Sequence, residues 1–310
     1  MARHASPLQS LLVDDAFEGE IYLQEPLAKH TSYRLGGPAK FFVEVFSLGA
    51  LRHVIDCCDI EGLPWIVIGR GSNLLVADEG FPGVVITLGR DFKNAVYHED
   101  EHILSAGAGV LLSNMVTEAF RRSLGGLEFA VDIPGTIGGA LTMNAGSRNE
   151  GMGDVVSSAT VLTHDGALVR LPASELIWGY RQGAFDPADV LVECELALKP
   201  ADPFYIRGKM EAAHARRKKT QPFSRASCGS VFRNPEGDSA GRLIEAAGLK
   251  GFTLGGAQVS EKHANFIIND GSATAQDVFD LIHAVQEKVF EVHGTKLEPE
   301  VRFVGFSQDN

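Results

Sequence analysis

A chain of 310 residues, 45% apolar and 22% charged, carries enough apolar material for a packed core and length for two or three domains. Its formal charge of −12 argues against nucleic-acid binding, which calls for a basic face. No apolar run reaches the roughly 18 residues of a membrane span, and Met1 to Asp15 hold no apolar stretch of signal-peptide length, so a soluble cytoplasmic protein is expected.

Residues 1 to 30 carry little signal. Thr31 to Ala39 reads as a turn and Lys40 to Val45 as a strand. A helix is predicted over about 48 to 60, where Leu51, Val54, Ile55 and Cys58 follow the i, i+3, i+4, i+7 spacing of a buried stripe. The strand Trp65 to Gly69 then opens a first glycine-rich loop, Gly69-Arg70-Gly71-Ser72-Asn73. Apolar, strand-like Leu74-Leu75-Val76 follows it, so the strand-then-helix context of a Rossmann fingerprint is missing. Short strands are expected at 84–86 and 103–106. Next comes a helix over about 111 to 124, with Leu112, Met115, Val116 and Ala119 on one face and Gly125-Gly126 as its stop.

The stretch from Pro134 to Gly146 reads as a second glycine-rich loop, with Gly135, Gly138, Gly139 and Ala145 as small residues and Thr136, Thr142 and Asn144 as side-chain donors. One such loop is more often a tight turn; two within one region point to a large dinucleotide ligand held by backbone N–H groups. A strand pair over about 156 to 171 turns on Asp165-Gly166, and a further strand covers 191–198. Pro200 to Pro203 marks a break. Between Arg207 and Arg225 lie seven basic residues (Arg207, Lys209, Arg216, Arg217, Lys218, Lys219, Arg225) against one acid, Glu211. Alone, that run reads equally well as a solvated helix face. Its place just before Gly229-Ser230 favours a site for an anionic ligand.

A short helix is predicted over about 239 to 247, a strand over 264–269, and an amphipathic helix over 275–292 with Thr274 as N-cap and Val278, Leu281, Ile282, Val285 and Val289 inside. Val301 to Val304 closes as a strand. Helices and short strands mix without βαβ regularity, which favours α+β. The four cysteines, Cys57, Cys58, Cys194 and Cys228, show no metal spacing and no disulfide framework; reduced thiols are expected, with Cys228 a packing residue. No histidine spacing indicates a metal. Ser230 on a glycine-flanked turn and Glu300 near the C-terminus offer a hydroxyl and a carboxyl suited to proton transfer, although each alone reads as an ordinary turn or edge residue.

Taken together, Gly69-x-Gly71-Ser72-Asn73-Leu74-Leu75, the run from Pro134 through Asn144-Ala145-Gly146, Tyr180-Arg181, Gly229-Ser230-x-Phe232-x-Asn234-Pro235, Ala240-Gly241 through Glu245, Lys262-His263-Ala264-Asn265-Phe266 and Glu300-Val301 closely resemble the UDP-N-acetylenolpyruvoylglucosamine reductase (MurB) family, in order and over about residues 29 to 306. The stretch from Gln182 to Val192 is too short for the capping loop of type I members, so the chain resembles type II.

The resemblance implies an α+β chain with a FAD-binding module of the vanillyl-alcohol-oxidase (PCMH) type. Two subdomains, 1–90 and 91–205, would bind FAD and a third, 206–310, the substrate. It implies NADPH as hydride donor and UDP-N-acetylglucosamine enolpyruvate as substrate, taken by a monomer without nucleic-acid or membrane partners. Arg181, Ser230 and Glu300 match the family's catalytic positions. Gly69, Arg70, Gly71, Ser72, Asn73 and Leu74 fall in its cofactor-binding loops, as do Pro134, Gly135, Thr136, Gly138, Gly139, Asn144, Ala145 and Gly146. Tyr180, Lys218 and Asn234 match substrate-binding positions, with Lys219 an alternative register for Lys218. Where the family usually has Ser two residues after its Arg, this chain has Gly183. Two other readings stay open: another FAD-dependent oxidase or dehydrogenase sharing the flavin module, and a flavin- or nucleotide-sugar-binding sensor without catalysis.

Overall fold

The computed structural model of the chain describes residues 7–147 and 150–306. They divide into two compact units that interleave along the sequence. The first comprises residues up to Leu23, Phe41–Gly69 and Gly83–Ala215; the second comprises Gln24–Lys40, Arg70–Pro82 and the residues from Arg216 on.

The first unit is built on two sheets. One has four strands in the order Gly19–Pro26, Pro38–Val45, Phe81–Leu88, Trp65–Val67, with the last two parallel and Trp65 opposite Val84. The other has five antiparallel strands, ordered Leu168–Pro172, Val156–Leu162, Val190–Ala197, Ile103–Gly107, Ala95–His98. Ala159 faces Cys194, which faces Ala106, and all three are buried. The helix Leu48–Glu61 forms where predicted. The Ser47 hydroxyl accepts from the Ala50 N–H, and Gly62 closes it in the left-handed region. Its stripe of Leu51, Val54, Ile55 and Cys58 is in the core.

The helix Leu112–Arg121 buries Leu112, Met115, Val116 and Ala119 as expected, but it stops short of Gly125-Gly126. Ser123 takes the left-handed conformation (φ 57°), and Leu124–Gly125 instead pairs with Lys199–Pro200. The strand Gly19–Pro26 lies where the sequence carried little signal. Five of its eight residues are exposed, so it lacks the alternation that marks a half-buried strand.

The second unit gathers around Tyr33, Leu75, Phe232 and the inner face of the helix Ala275–His293. Val278, Leu281, Ile282, Val285 and Val289 are all buried there, as the periodicity predicts. A three-stranded sheet, Thr253–Leu254, Ala257–Val259, Ile267–Asn269, packs in the same unit, and Arg302–Val304 pairs in parallel with Leu74–Val76.

The first turn of Ala275–His293 is capped twice over. The Thr274 hydroxyl accepts from the Asp277 N–H, and the Asp78 carboxylate accepts from Ala275 N (2.9 Å) and Gln276 N (3.0 Å). Thr274→Ala is expected to lower the stability of this unit by about 1 kcal/mol, read as a lower denaturant midpoint with unchanged slope. An unmoved midpoint would mean that Asp78 alone suffices. Among the described residues no helix is long and apolar enough to cross a membrane.

Candidate active site

In the first unit the two glycine-rich stretches meet. A Cβ placed on Gly69 would lie 2.5 Å from the Thr136 hydroxyl, so the strand end and the second stretch approach each other too closely to admit a side chain at residue 69. The second stretch is not a loop. Thr136 caps a helix, Ile137–Thr142, its hydroxyl accepting from Gly139 N at 3.3 Å.

That helix changes what the stretch can offer a ligand. The amides of Ile137 and Gly138 donate to Val110 and Ala108 (2.8 Å each), and those of Ala140, Asn144 and Ala145 donate within the segment. The expectation of a row of amides aimed at a phosphate is therefore corrected for these residues. Pro134, Gly135 and Gly139 present small, partly exposed surface instead.

Asn144 and Arg181 are both non-glycine residues in the left-handed region, at φ 40° and 54°. Such conformations cost about 1 kcal/mol or more and persist where the surroundings enforce them. The Asn144 carboxamide does so here: it donates to the Gly179 carbonyl (2.9 Å) and accepts from the Gly153 N–H (3.0 Å). Gly179 and Gln182 then bond each other's main chains, leaving Tyr180-Arg181 as a two-residue tip. The Arg181 guanidinium donates to the Gly146 carbonyl (3.2 Å) and lies over the half-exposed Tyr180 ring, 5.3 Å from its centroid. Gly183 donates to the Thr142 carbonyl (3.0 Å), and a Cβ there would sit 2.7 Å from the same oxygen. Close approach to this helix end accounts for glycine at the position where the family pattern has serine.

In the second unit the loop Arg70-Gly71-Ser72-Asn73 is bolted to two distant segments. Gly71 has φ 57°, and a Cβ on it would collide with the His30 carbonyl, while its own carbonyl accepts from Ser32 N (3.1 Å). The Asn73 carboxamide donates to the main-chain carbonyl of Glu300 (2.9 Å), and the Asn73 carbonyl accepts from Arg302 N (3.0 Å). Leu74 opens the strand opposite Arg302.

Ser230 and Glu300 stand on adjoining main chains. The Val231 carbonyl accepts from the N–H groups of Glu300 (2.7 Å) and Val301 (3.4 Å), and Arg233 N donates to Glu298 (2.9 Å). Both Ser230 and Glu300 are half-buried. Asn265 is buried at 3% exposure and grips Phe232 with both ends of its side chain, accepting from its N–H (2.9 Å) and donating to its carbonyl (2.8 Å). Beneath them Cys228 and Tyr33 lie together in the core. Burial, with the Glu300 carboxylate nearby, pushes the Cys228 thiol up to about 12, so it stays protonated at neutral pH and packs rather than attacks.

The expected phosphate-end residues are exposed. Asn234 accepts from Ala240 N (3.1 Å), at the start of the helix Ala240–Ala246. Lys218 sits in the last turn of the helix Pro203–Thr220, and its carbonyl accepts from the Lys262 ammonium (2.6 Å). Burial, with the charge of Lys250, lowers the His263 imidazole below its ordinary value.

The structure thus brings Gly69 to Thr136, Asn144 and Gly146 to Tyr180-Arg181, and Asn73 and Ser230 to Glu300. Asn265, Lys262 and Tyr33 were not among the expected site residues. The motif Lys262-His263-Ala264-Asn265 was visible in the sequence, but nothing there said what its asparagine holds.

Residues 221–304 match the family profile of the UDP-N-acetylenolpyruvoylglucosamine reductase C-terminal domain, and residues 39–172 match that of a FAD binding domain. Over 306 residues the chain is 44% identical to UDP-N-acetylenolpyruvoylglucosamine reductase 2 of Symbiobacterium thermophilum, covering 98% of each. It is also 44% identical to the Heliobacterium modesticaldum reductase over 94% of this chain and 93% of that one. The crystal structure of the MurB reductase from Thermus caldophilus superposes with a TM-score of 0.79 at 38% identity, over 92% of this chain and 98% of that one. A berberine bridge enzyme variant matches at a TM-score of 0.50 and 14% identity, over 64% of this chain and 44% of that one, a likeness of fold alone.

Proposed function

The chain belongs to the UDP-N-acetylenolpyruvoylglucosamine reductases, and from that premise we propose that it reduces UDP-N-acetylglucosamine enolpyruvate to UDP-N-acetylmuramate, a step of peptidoglycan precursor synthesis. FAD, reduced by NADPH, supplies the hydride. The residues present fit that cofactor, because Pro134, Gly135 and Gly139 beside the close Gly69–Thr136 contact leave small, partly exposed backbone that a bound flavin would approach closely.

The rest of the chemistry falls to the chain's own groups. Hydride addition to the terminal alkene carbon of the enolpyruvyl ether places negative charge on the carbon beside the substrate carboxylate. Two negative charges on so small a fragment are costly unless fixed groups oppose them. Arg181 supplies a cation on a tip that is already bent into place, so little reorganisation is needed when charge develops. Glu300, when protonated, donates a hydrogen bond to the same centre. Ser230 then gives its hydroxyl proton to the carbanionic carbon, completing the addition of one hydride and one proton across the double bond. Lys218 and Asn234, both exposed, hold the diphosphate end of the substrate.

The observation that carries this reading is the 2.7 Å bond from Glu300 N to the Val231 carbonyl, which sets the bearer of the carboxyl beside the bearer of the hydroxyl. The purified protein should be yellow. Anaerobic NADPH should bleach it, and the enolpyruvyl sugar should restore the colour. Failure of that sugar to reoxidise the bleached protein, with rapid reoxidation by oxygen and an alcohol as reductant, would replace the reading with an oxidase.

A further inference from the structure

Four bonds run in sequence through the second unit. The Asn265 carboxamide accepts from Phe232 N (2.9 Å) and donates to Phe232 O (2.8 Å), Val231 O accepts from Glu300 N (2.7 Å), and Glu300 O accepts from the Asn73 carboxamide (2.9 Å). Val231 N also donates to the Asn265 carbonyl (2.9 Å), so three main-chain groups of the two residues after Ser230 terminate on Asn265. The side chain is buried, and its acceptor and one of its donors are matched to the two peptides that flank Phe232.

Such a match does more than satisfy a buried polar group. The two-point grip fixes both peptides flanking Phe232, and the bond from Val231 N fixes the peptide that follows Ser230, so the chain after the left-handed Gly229 (φ 85°) is held at three successive peptides. The free ends of a polar core residue usually go to several elements. Here they converge on the segment that carries the proposed proton donor.

We infer that Asn265 is a positioning residue that sets the Ser230 hydroxyl relative to Glu300 during protonation of the substrate. The inference rests on the reductase reading above. Displacement of a reacting group by about 1 Å can cost around 10²-fold in rate, which is the scale a lost grip should reach. Asn265→Asp keeps the acceptor for Phe232 N but sets a carboxylate against Phe232 O. Asn265→Ala removes both arms and leaves a buried N–H and carbonyl unmatched.

The test is anaerobic stopped-flow on the FAD-loaded protein, with the two half-reactions followed separately. Both variants should accept electrons from NADPH at the wild-type rate and bind the enolpyruvyl sugar with unchanged affinity. Their reoxidation by that sugar should slow by about 10-fold for Asn265→Asp and about 10²-fold for Asn265→Ala. A residue acting through the serine must lose its effect once the serine is gone. Ser230→Ala/Asn265→Ala should therefore reoxidise within about 3-fold of Ser230→Ala alone, whereas a merely structural loss would multiply.

Hydrogen exchange supplies a readout independent of turnover and of whether the variants fold. In the wild-type protein the Phe232 amide should rank with the most protected in its unit; rapid exchange there would overturn the grip itself. Wild-type reoxidation rates in a folded Asn265 variant, or multiplicative effects in the double variant, would overturn the positioning role. If wild-type protein ignores the sugar, the reductase reading fails instead, and the exchange result still decides the grip.

Discussion

Ser230→Ala is expected to leave reduction of the bound FAD by NADPH untouched while slowing its reoxidation by the enolpyruvyl sugar more than ~10²-fold, the lower end for loss of a general acid. The substitution is structurally quiet. The bonds from Asn265 and from Glu300 N to this segment use main-chain atoms of Val231 and Phe232, and these survive loss of the hydroxyl. A serine is a weak acid against water, yet a carbanion next to a carboxylate is a strong enough base to take its proton from within hydrogen-bond reach. Solvent water could replace it only with the entropic cost that a fixed donor avoids. Single-turnover absorbance measurements separate the two half-reactions, and a near-normal reoxidation rate would remove Ser230 from the chemistry.

Glu300→Gln should produce a loss of similar size in the same half-reaction. The Glu300 main chain bonds Val231 through its N–H and Asn73 through its carbonyl, so the amide variant keeps its place in the fold and changes only the carboxyl group. A loss of ~10²-fold or more with unaltered substrate affinity would mean that the carboxyl acts on charge present only in the transition state. Unchanged turnover would make Glu300 a structural residue whose work is done by its backbone.

Much of the fold was legible because periodicity survives wherever one face is buried. The sequence places the helices Leu48–Glu61 and Ala275–His293 to within a residue or so, the second with its expected cap at Thr274. The strand Gly19–Pro26 escaped notice because most of it is exposed and its pattern does not alternate. The helix Ile137–Thr142 was read as a loop because Gly138 and Gly139 are poor helix formers; tertiary bonds to Ala108 and Val110 overrode that weak prior.

The candidate site shows the same division. Residue types and order pointed to Arg181, Ser230 and Glu300, but not to which neighbour holds each of them. Asn73 lies in the first glycine-rich loop, and the sequence does not show that its carboxamide reaches the Glu300 main chain. Asn265 stood in a visible motif, yet its grip on Phe232 joins segments that only the folded chain brings together.

The parallel pairing of Arg302–Val304 with Leu74–Val76 has a consequence for biosynthesis. A ribosome makes Tyr33, Leu35 and Leu75 long before their core mates, which run from Cys228 to Val301. Until those mates are made, the early apolar groups lack the partners they pack against in the folded unit. The stretch that carries Ser230 and Glu300 therefore completes a core whose other half was synthesised well before it.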